Sequence, residues 1–178
     1  MEDKSETLAI DTATHKIAAT WPLAPGQSPS GMAFDEAHHR LFIGCHNKLM
    51  LMVDSETGKV IASVPIGAGV DACSFDPGTR LAFASCVDGT MTIAKEESPE
   101  KLSVVQVLKT EKLARTMTVD PATHRIYSAT ADPLPPVNAP LSPAPRHDAT
   151  IPGTFRVLIY GPTSPGGRES DSCALLTR

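Results

Sequence analysis

Residues 31–43 read Gly-Met-Ala-Phe-Asp-Glu-Ala-His-His-Arg-Leu-Phe-Ile: an apolar strand, a turn led by Asp, and a second apolar strand. The pattern returns at residues 72–83 as Ala-Cys-Ser-Phe-Asp-Pro-Gly-Thr-Arg-Leu-Ala-Phe. It returns again at residues 116–127 as Thr-Met-Thr-Val-Asp-Pro-Ala-Thr-His-Arg-Ile-Tyr. The aligned positions Phe34, Phe75 and Val119 lie 41 and 44 residues apart. A repeat of this length made of short strands indicates similar units packed side by side.

A second stretch also repeats. Residues 11–22 read Asp-Thr-Ala-Thr-His-Lys-Ile-Ala-Ala-Thr-Trp-Pro, and residues 54–65, 43 positions later, read Asp-Ser-Glu-Thr-Gly-Lys-Val-Ile-Ala-Ser-Val-Pro. Turn sequences such as Asp76-Pro77-Gly78 separate the apolar segments. Strands are predicted near 31–34, 40–44, 49–53, 59–64, 72–75, 80–85, 90–94 and 103–108. Four short strands per unit predict an all-β fold, a β-propeller with blades of four antiparallel strands.

The repeats predict one propeller domain over residues 1–161. It divides into a half blade (8–22), two full blades (28–66 and 70–108) and a partial blade (114–161) that contains the proline-rich loop 133–152. Residues 162–178 fit no repeat and are predicted to be disordered. About three blades cannot close a ring, and open sheet edges attract partners. We expect a homodimer in which the half blade of one chain completes the last blade of the other. A fragment of a longer propeller is the alternative.

The repeats resemble the YVTN-type β-propeller family. The resemblance rests on Asp76-Pro-Gly-Thr-Arg-Leu and on residues 53–67, Val-Asp-Ser-Glu-Thr-Gly-Lys-Val-Ile-Ala-Ser-Val-Pro-Ile-Gly. It extends from residue 8 to about residue 161. The signature Tyr-Val-Thr-Asn strand is replaced by Phe42-Ile-Gly-Cys and Phe83-Ala-Ser-Cys. The resemblance implies a full ring of blades, and it makes lactonase-like rings relatives of this chain.

Composition excludes several classes of function. Lys and Arg total 16 against 20 Asp and Glu, a net charge of −4, which excludes a strongly basic nucleic-acid binder and a polybasic membrane anchor. No apolar run reaches the roughly 18 residues that a membrane span needs. The first residues lack a signal-peptide core, so we expect a cytoplasmic protein, or a periplasmic or secreted one if the native N-terminus is missing. The four cysteines form no Cys-x-x-Cys pair and are predicted to be packing residues.

Propeller topology sorts the polar loop residues onto two faces. The turn residues Asp35, Asp76 and Asp120 are predicted to bond their own turns, with His15, His39 and His124 solvated beside them. The opposite face, at the channel mouth, gathers the connections between blades and the turns between second and third strands. Candidate metal ligands there are Asp71, Asp88, Asp132 and Asn47, and candidate catalytic residues are His46, Asp71, Arg115 and His147. Oxygen ligands of this kind suit Ca²⁺.

Two functions fit this arrangement. The first is a metal-dependent hydrolase of small cyclic esters, in which the cation polarises the carbonyl and activates water. Lactones, including acylated homoserine lactones, would be the small-molecule substrates. The sequence contains no nucleophile motif, which suits a mechanism of this kind. The alternative is a non-catalytic propeller that binds a partner on one face.

Overall fold

The computed structural model describes residues 1–134, 150–162 and the backbone of residues 176–177. In these residues the fold is all-β, and no helix occurs. The described part of the chain therefore offers no helix with the length and apolarity needed to cross a membrane. The strands form one two-stranded and three four-stranded antiparallel sheets, which are the blades of an incomplete β-propeller ring.

The half blade comes first and contains β1 (Glu6–Asp11) and β2 (Lys16–Pro22). Blade 1 follows in the order β3 (Pro29–Asp35), β4 (Arg40–Cys45), β5 (Leu49–Asp54) and β6 (Val60–Pro65). Blade 2 contains β7 (Val70–Asp76), β8 (Leu81–Cys86), β9 (Thr90–Ser98) and β10 (Lys101–Lys109). Blade 3 contains β11 (Thr116–Asp120), β12 (Arg125–Thr130), β13 (Arg156–Pro162) and β14 (Leu176–Thr177).

Blade 2 has longer outer strands than the repeat pattern predicts. Strands β9 and β10 run through the polar stretch that follows Ala94 and turn only at Pro99 and Glu100. This long hairpin extends over blade 1, where the Pro99 carbonyl accepts a hydrogen bond of 2.7 Å from Arg40 Nε. The hairpin therefore joins two blades at the face that carries the turns between first and second strands.

The core lies between the blades. One apolar cluster joins Phe42, Met50 and Met52 of blade 1 to Cys73 and Phe75 of blade 2, and the rings of Phe42 and Phe75 stack at 4.8 Å. An equivalent cluster joins blade 2 to blade 3. Because side chains alternate along a strand, each blade presents one flank to the blade before it and the other to the blade after it. We call these the rear flank and the forward flank.

The inner strands of blades 1 and 2 approach so closely that one position requires glycine. A Cβ atom on Gly31 of β3 would lie 2.5 Å from the backbone nitrogen of Cys73 on β7. Such a distance is far inside van der Waals contact. The glycine that opens the first repeat is therefore explained by backbone packing between the inner strands.

One expectation about the chain end changes. Leu176 and Thr177 of the predicted disordered tail pair with Pro162 and Gly161, so these two residues belong to the sheet. Strand β13 pairs with β12 as the third strand of blade 3, and completion of this blade by a partner's half blade stays a prediction. The remainder of the tail and most of the proline-rich loop, with His147, lie outside the described residues.

Candidate functional site

Two of the predicted metal ligands hold the connections between blades. Asn47 Oδ1 accepts a hydrogen bond of 3.0 Å from the backbone N–H of Gln27, and its Nδ2 donates to the carbonyl of Pro25. Asp88, 41 residues further on, accepts bonds from the backbone N–H of Ala68 and from the N–H and hydroxyl of Thr90. Both side chains therefore fix the loop that leads into their own blade.

Asp132, the third turn residue, has a different partner. Its Oδ1 lies 2.8 Å from Nη1 of Arg156, and the same guanidinium also bonds Glu111 in the connection between blades 2 and 3. Arg156 thus bridges two carboxylates, and its charge links the last blade to the loop that enters it.

Asp71 and Arg115 lie where one blade connects to the next, and His46 lies in the turn between β4 and β5. Asp71 is partly buried at the start of β7, and its Oδ2 accepts a 3.2 Å hydrogen bond from the hydroxyl of Thr116 on β11. Arg115 directly precedes Thr116, and its carbonyl accepts a bond from Ser85. His46 is exposed, and its Nε2 lies 3.6 Å from a carboxylate oxygen of Glu2. Among the described residues, the structure does not bring Asp71, Asp88 and Asp132 together as one group of ligand atoms.

The turn aspartates act as the repeat chemistry predicts. Asp35, Asp76 and Asp120 each accept a backbone N–H bond from the residue two positions later. His124 is not simply solvated, because its Nδ1 lies 2.7 Å from Asp76 Oδ2 in the preceding blade. This contact crosses from blade 3 to blade 2 and partly covers a buried carboxylate.

The sequence predicts that Arg80 begins a strand, but it lies in the turn before β8. Counting from each turn aspartate, it matches His39 and His124, and all three residues have φ between +55° and +57°. Arg40 and Arg125 begin the second strands of their blades, whereas Leu81 begins that of blade 2. The three turns have the same length, but the arginine of blade 2 comes one residue earlier than those of blades 1 and 3. The guanidinium of Arg80 extends from the turn and contacts a carboxylate of β9.

That carboxylate belongs to a group that sequence analysis missed. Asp35, His38 and Glu96 each offer one ligand atom, and these atoms lie within 4.8 Å of one another. His38 Nδ1 is 2.5 Å from Asp35 Oδ2 and 3.7 Å from Glu96 Oε2. Arg80 Nε lies 3.4 Å from the same Glu96 oxygen. The group sits between blades 1 and 2, on the face predicted to be purely structural.

The two carboxyl groups have opposite electrostatic environments. Burial raises the pKa of Glu96, and the neighbouring charge of Asp35 raises it further, while Arg80 acts in the other direction. Burial also acts to raise the pKa of Asp35, but hydrogen bonding with His38 and Glu96 outweighs it, so the pKa lies below its ordinary value. Two neighbouring carboxyl groups whose pKa values are shifted in opposite directions can share a proton or bind a cation together.

Two departures from the repeat mark His38 and Glu96 in the sequence. His38 stands where the other two turns have Thr79 and Thr123, three residues after the aspartate. Glu96 stands where blade 1 has Ser55, since the backbone N–H groups of both residues bond the equivalent carbonyls of Arg80 and His39. Each residue alone is unremarkable in a turn or a strand end, and only the packing of blade 2 on blade 1 brings them together.

The cysteines of the described residues are packing residues, in accord with the prediction. Cys45, Cys73 and Cys86 are buried free thiols. Burial raises the pKa of Cys73 to about 12 and that of Cys45 and Cys86 to about 11. At neutral pH they are therefore protonated and poor nucleophiles.

Comparison with solved structures supports the β-propeller fold. No family model and no curated protein matches the chain. Hydrazine synthase of Kuenenia stuttgartiensis superposes with a TM-score of 0.64 at 12% identity, over 73% of this chain and 37% of that one. Dihydro-heme d1 dehydrogenase NirN, in complex with DHE, gives 0.60 at 16% identity, over 74% and 29%. The β-propeller domain of Myceliophteria thermophila Cps50 (Swd1) gives 0.55 at 13% identity, over 73% and 46%.

These likenesses concern the fold alone. The chain spans less than half of each of these neighbours. Their names include enzymes and a β-propeller domain, so structural similarity selects no activity.

Proposed function

We propose that this chain is a non-catalytic β-propeller segment that associates with a second copy of itself through its two free blade flanks. The observation that carries the proposal is the exposure of apolar side chains at positions that are buried between blades elsewhere in the chain. Phe34 on β3 is 50% exposed, and Val157 and Ile159 on β13 are 51% and 47% exposed.

The internal repeat defines what each free flank fits. Phe34 is the repeat equivalent of Phe75, which stacks on Phe42 of the preceding blade. By strand register, Tyr127 of blade 3 is the equivalent of Phe42, while Val157 and Ile159 correspond to Met50 and Met52. The forward flank of blade 3 therefore carries apolar side chains at the positions through which blade 1 packs against blade 2. The rear flank of blade 1 carries its complement.

The half blade covers only part of the rear flank of blade 1. Leu23, which follows β2, packs with Leu51 and Val53 of β5, and Trp21 lies against Gly58. Met32 and Phe34 on the innermost strand stay exposed. A second copy would place β11 and β12 beside these residues. In a closed ring, the half blade β1–β2 and the partner's strands β13–β14 would both need the outer positions beside blade 1. Closure of the ring therefore requires β13–β14 of the partner to replace β1–β2 there.

The test is the mass of the particle in solution. Sedimentation velocity of the wild-type chain is expected to give a species larger than 18.8 kDa at micromolar concentration. Phe34→Ser should weaken association at least about tenfold, because burying a phenylalanine contributes about 1.5–3 kcal/mol. Val107→Ser is the matched control, since Val107 is 60% exposed on the outermost strand of blade 2. A wild-type monomer would refute self-association.

Mixing variants tests the head-to-tail arrangement. Phe34→Ser changes the rear flank of blade 1, and Tyr127→Ser changes the forward flank of blade 3. In a head-to-tail heterodimer of the two variants, one of the two interfaces joins unchanged flanks, whereas both interfaces are changed in either homodimer. The mixture should therefore associate more tightly than either variant alone. Failure of the mixture to associate, with both variants folded by circular dichroism, would contradict the pairing of these two flanks.

Metal-dependent hydrolysis of lactones, acylated homoserine lactones among them, is the second candidate function, with Ca²⁺ at the channel mouth. It is supported by Asp71, a partly buried carboxylate on an inner strand that is bonded to Thr116 of the neighbouring blade. Asp71→Asn should lower a chelator-sensitive lactonase activity at least about tenfold. Asp76→Asn, which disturbs a turn, should lower stability and spare activity. Absence of turnover with Ca²⁺, Mg²⁺ or Zn²⁺ would contradict this candidate.

Membership of the YVTN-type repeat family is also a proposal. It is supported by the turn that recurs in all three blades, in which an aspartate accepts the N–H two residues later and a residue in the left-handed region ends the turn.

A further inference from the structure

The carboxylate of Glu96 is buried without full compensation. The residue is 0% exposed, and its Oε1 accepts no hydrogen bond. Its Oε2 has Arg80 Nε and Nη2 at 3.4 Å each, longer than a good charge-assisted bond. A buried carboxylate oxygen that lacks a donor is costly, so a positively charged partner at this position would be strongly favoured.

Further donor atoms point to the same place. Asp35 is 3% exposed and lies on the blade 1 side, while Glu96 lies on the blade 2 side. The imidazole of His38 lies between them with 34% of its side chain exposed. The site therefore has two buried oxygen donors, one nitrogen donor and an opening toward solvent.

We propose that Asp35, His38 and Glu96 bind one divalent transition-metal ion, with Zn²⁺ the best fit. Carboxylate oxygen and imidazole nitrogen are both zinc ligands, and three protein ligands with a fourth position open to water is the arrangement of an open zinc site. Bonds of about 2.0–2.2 Å from a single ion would span the present separation of these atoms after small side-chain shifts. Ca²⁺ fits less well, because it takes six to eight oxygen ligands.

Arg80 sets the charge of the site. With both carboxylates ionised, the imidazole neutral and Arg80 positive, the group carries one net negative charge before the ion binds. The positive charge of Arg80 partly cancels the two carboxylates, and the remaining charge of −1 suits the site to a single divalent ion.

The next turn along the chain provides an internal comparison. Asp76 and His124 form a carboxylate–imidazole pair with the two atoms 2.7 Å apart, and Thr79 replaces the histidine of the first turn. Within the described residues no third carboxylate, imidazole or thiol joins this pair as a ligand group. It should therefore bind Zn²⁺ weakly or not at all.

The experiment measures metal binding on the full chain after chelator treatment. Isothermal titration with Zn²⁺ is expected to give one ion per chain. Glu96→Gln and His38→Ala should each lower the affinity at least about tenfold, since even outer-shell changes cost that much. The controls are His39→Ala, which removes an adjacent exposed imidazole, and Asp76→Asn, which alters the two-donor pair. Both should leave the affinity unchanged.

Co²⁺ provides a second measurement that does not depend on the stability of Glu96→Gln. Its absorption spectrum on the wild-type chain should report tetrahedral coordination with nitrogen, and the spectrum should change in His38→Ala, whose side chain is partly exposed. Absence of binding by the wild type would overturn the proposal and leave a proton shared between Asp35 and Glu96. Equal affinity in the wild type, Glu96→Gln and His38→Ala would overturn it as well.

Discussion

At the scale of single residues, one task is performed by two different side chains. Asn47 and Asp88 occupy equivalent turns and accept the backbone N–H of equivalent connections, from Gln27 and from Ala68. An amide and a carboxylate are both acceptors, so the neutral and the charged residue each fix their loop. Charge at this position is therefore not needed for the structural task.

This equivalence predicts the behaviour of Asp88→Asn. Partial burial acts to raise the pKa of Asp88, but the bonds from Thr90 and Ala68 outweigh it, so the pKa lies below its ordinary value. A carboxylate with a lowered pKa contributes stability above its unfolded pKa and loses it as the pH falls through the folded value. Asp88→Asn should therefore change the free energy of unfolding by less than about 1 kcal/mol at pH 7 and should lose less stability than the wild type between about pH 5 and pH 3.

Urea denaturation of the two proteins at several pH values checks this prediction. Asp88→Ala is the control, because it removes the acceptor and should cost about 0.5–2 kcal/mol at pH 7, as the loss of a helix cap does. An acid dependence that is identical in wild type and Asp88→Asn would show that this carboxylate does not contribute.

At the scale of strands, the approach of β3 to β7 depends on one missing side chain. In Gly31→Ala the new methyl group would meet backbone atoms of Ala72 and Cys73, which cannot rotate away as a side chain can. We expect a loss of about 1–3 kcal/mol of unfolding free energy, as for other overpacked sites. Urea denaturation measures it, and Ser30→Ala, one residue earlier and exposed, should change stability by less than about 0.5 kcal/mol.

Most of the strands could be predicted from sequence, but the grouping of side chains could not. Turn chemistry and strand alternation depend on residues close in sequence, so the repeat of about 42 residues is enough to predict the blades. The Asp35–Glu96 contact joins residues 61 positions apart through the long β9–β10 hairpin, which blade 1 lacks. Asn47 likewise bonds a residue 20 positions earlier. Sequence placed it on a face but could not show that its hydrogen-bonding groups were already used.

At the scale of the whole molecule, the blades differ in how well their flanks are covered. All six residues of β8 in blade 2 are buried, whereas β2 of the half blade is mostly exposed. In repeat folds, local stability follows the contacts each unit makes with its neighbours.

Hydrogen exchange should therefore rank the blades. Amides of β8 are expected to exchange at least about tenfold more slowly than those of β1 and β2. Exchange measured by mass spectrometry on peptic fragments, below the concentration at which the chain associates, checks the ranking. Equal protection of the half blade and blade 2 would mean that the segment opens only as a single unit.

A left-handed residue ends five of the Asp-led turns in the described part of the chain, at His15, His39, Gly58, Arg80 and His124, and this has a consequence for engineering. His15 and His39 adopt φ of +55° and are exposed, unlike Arg80 and His124, which have buried carboxylate partners at the same position. The left-handed conformation costs a residue other than glycine on the order of 1 kcal/mol, and asparagine tolerates it because its short polar side chain can hydrogen-bond locally. His15→Asn and His39→Asn should each add about 0.5 kcal/mol to the unfolding free energy, visible as a higher melting temperature by calorimetry. Substitution at two of these five turns should therefore raise thermal stability without changing any contact between blades.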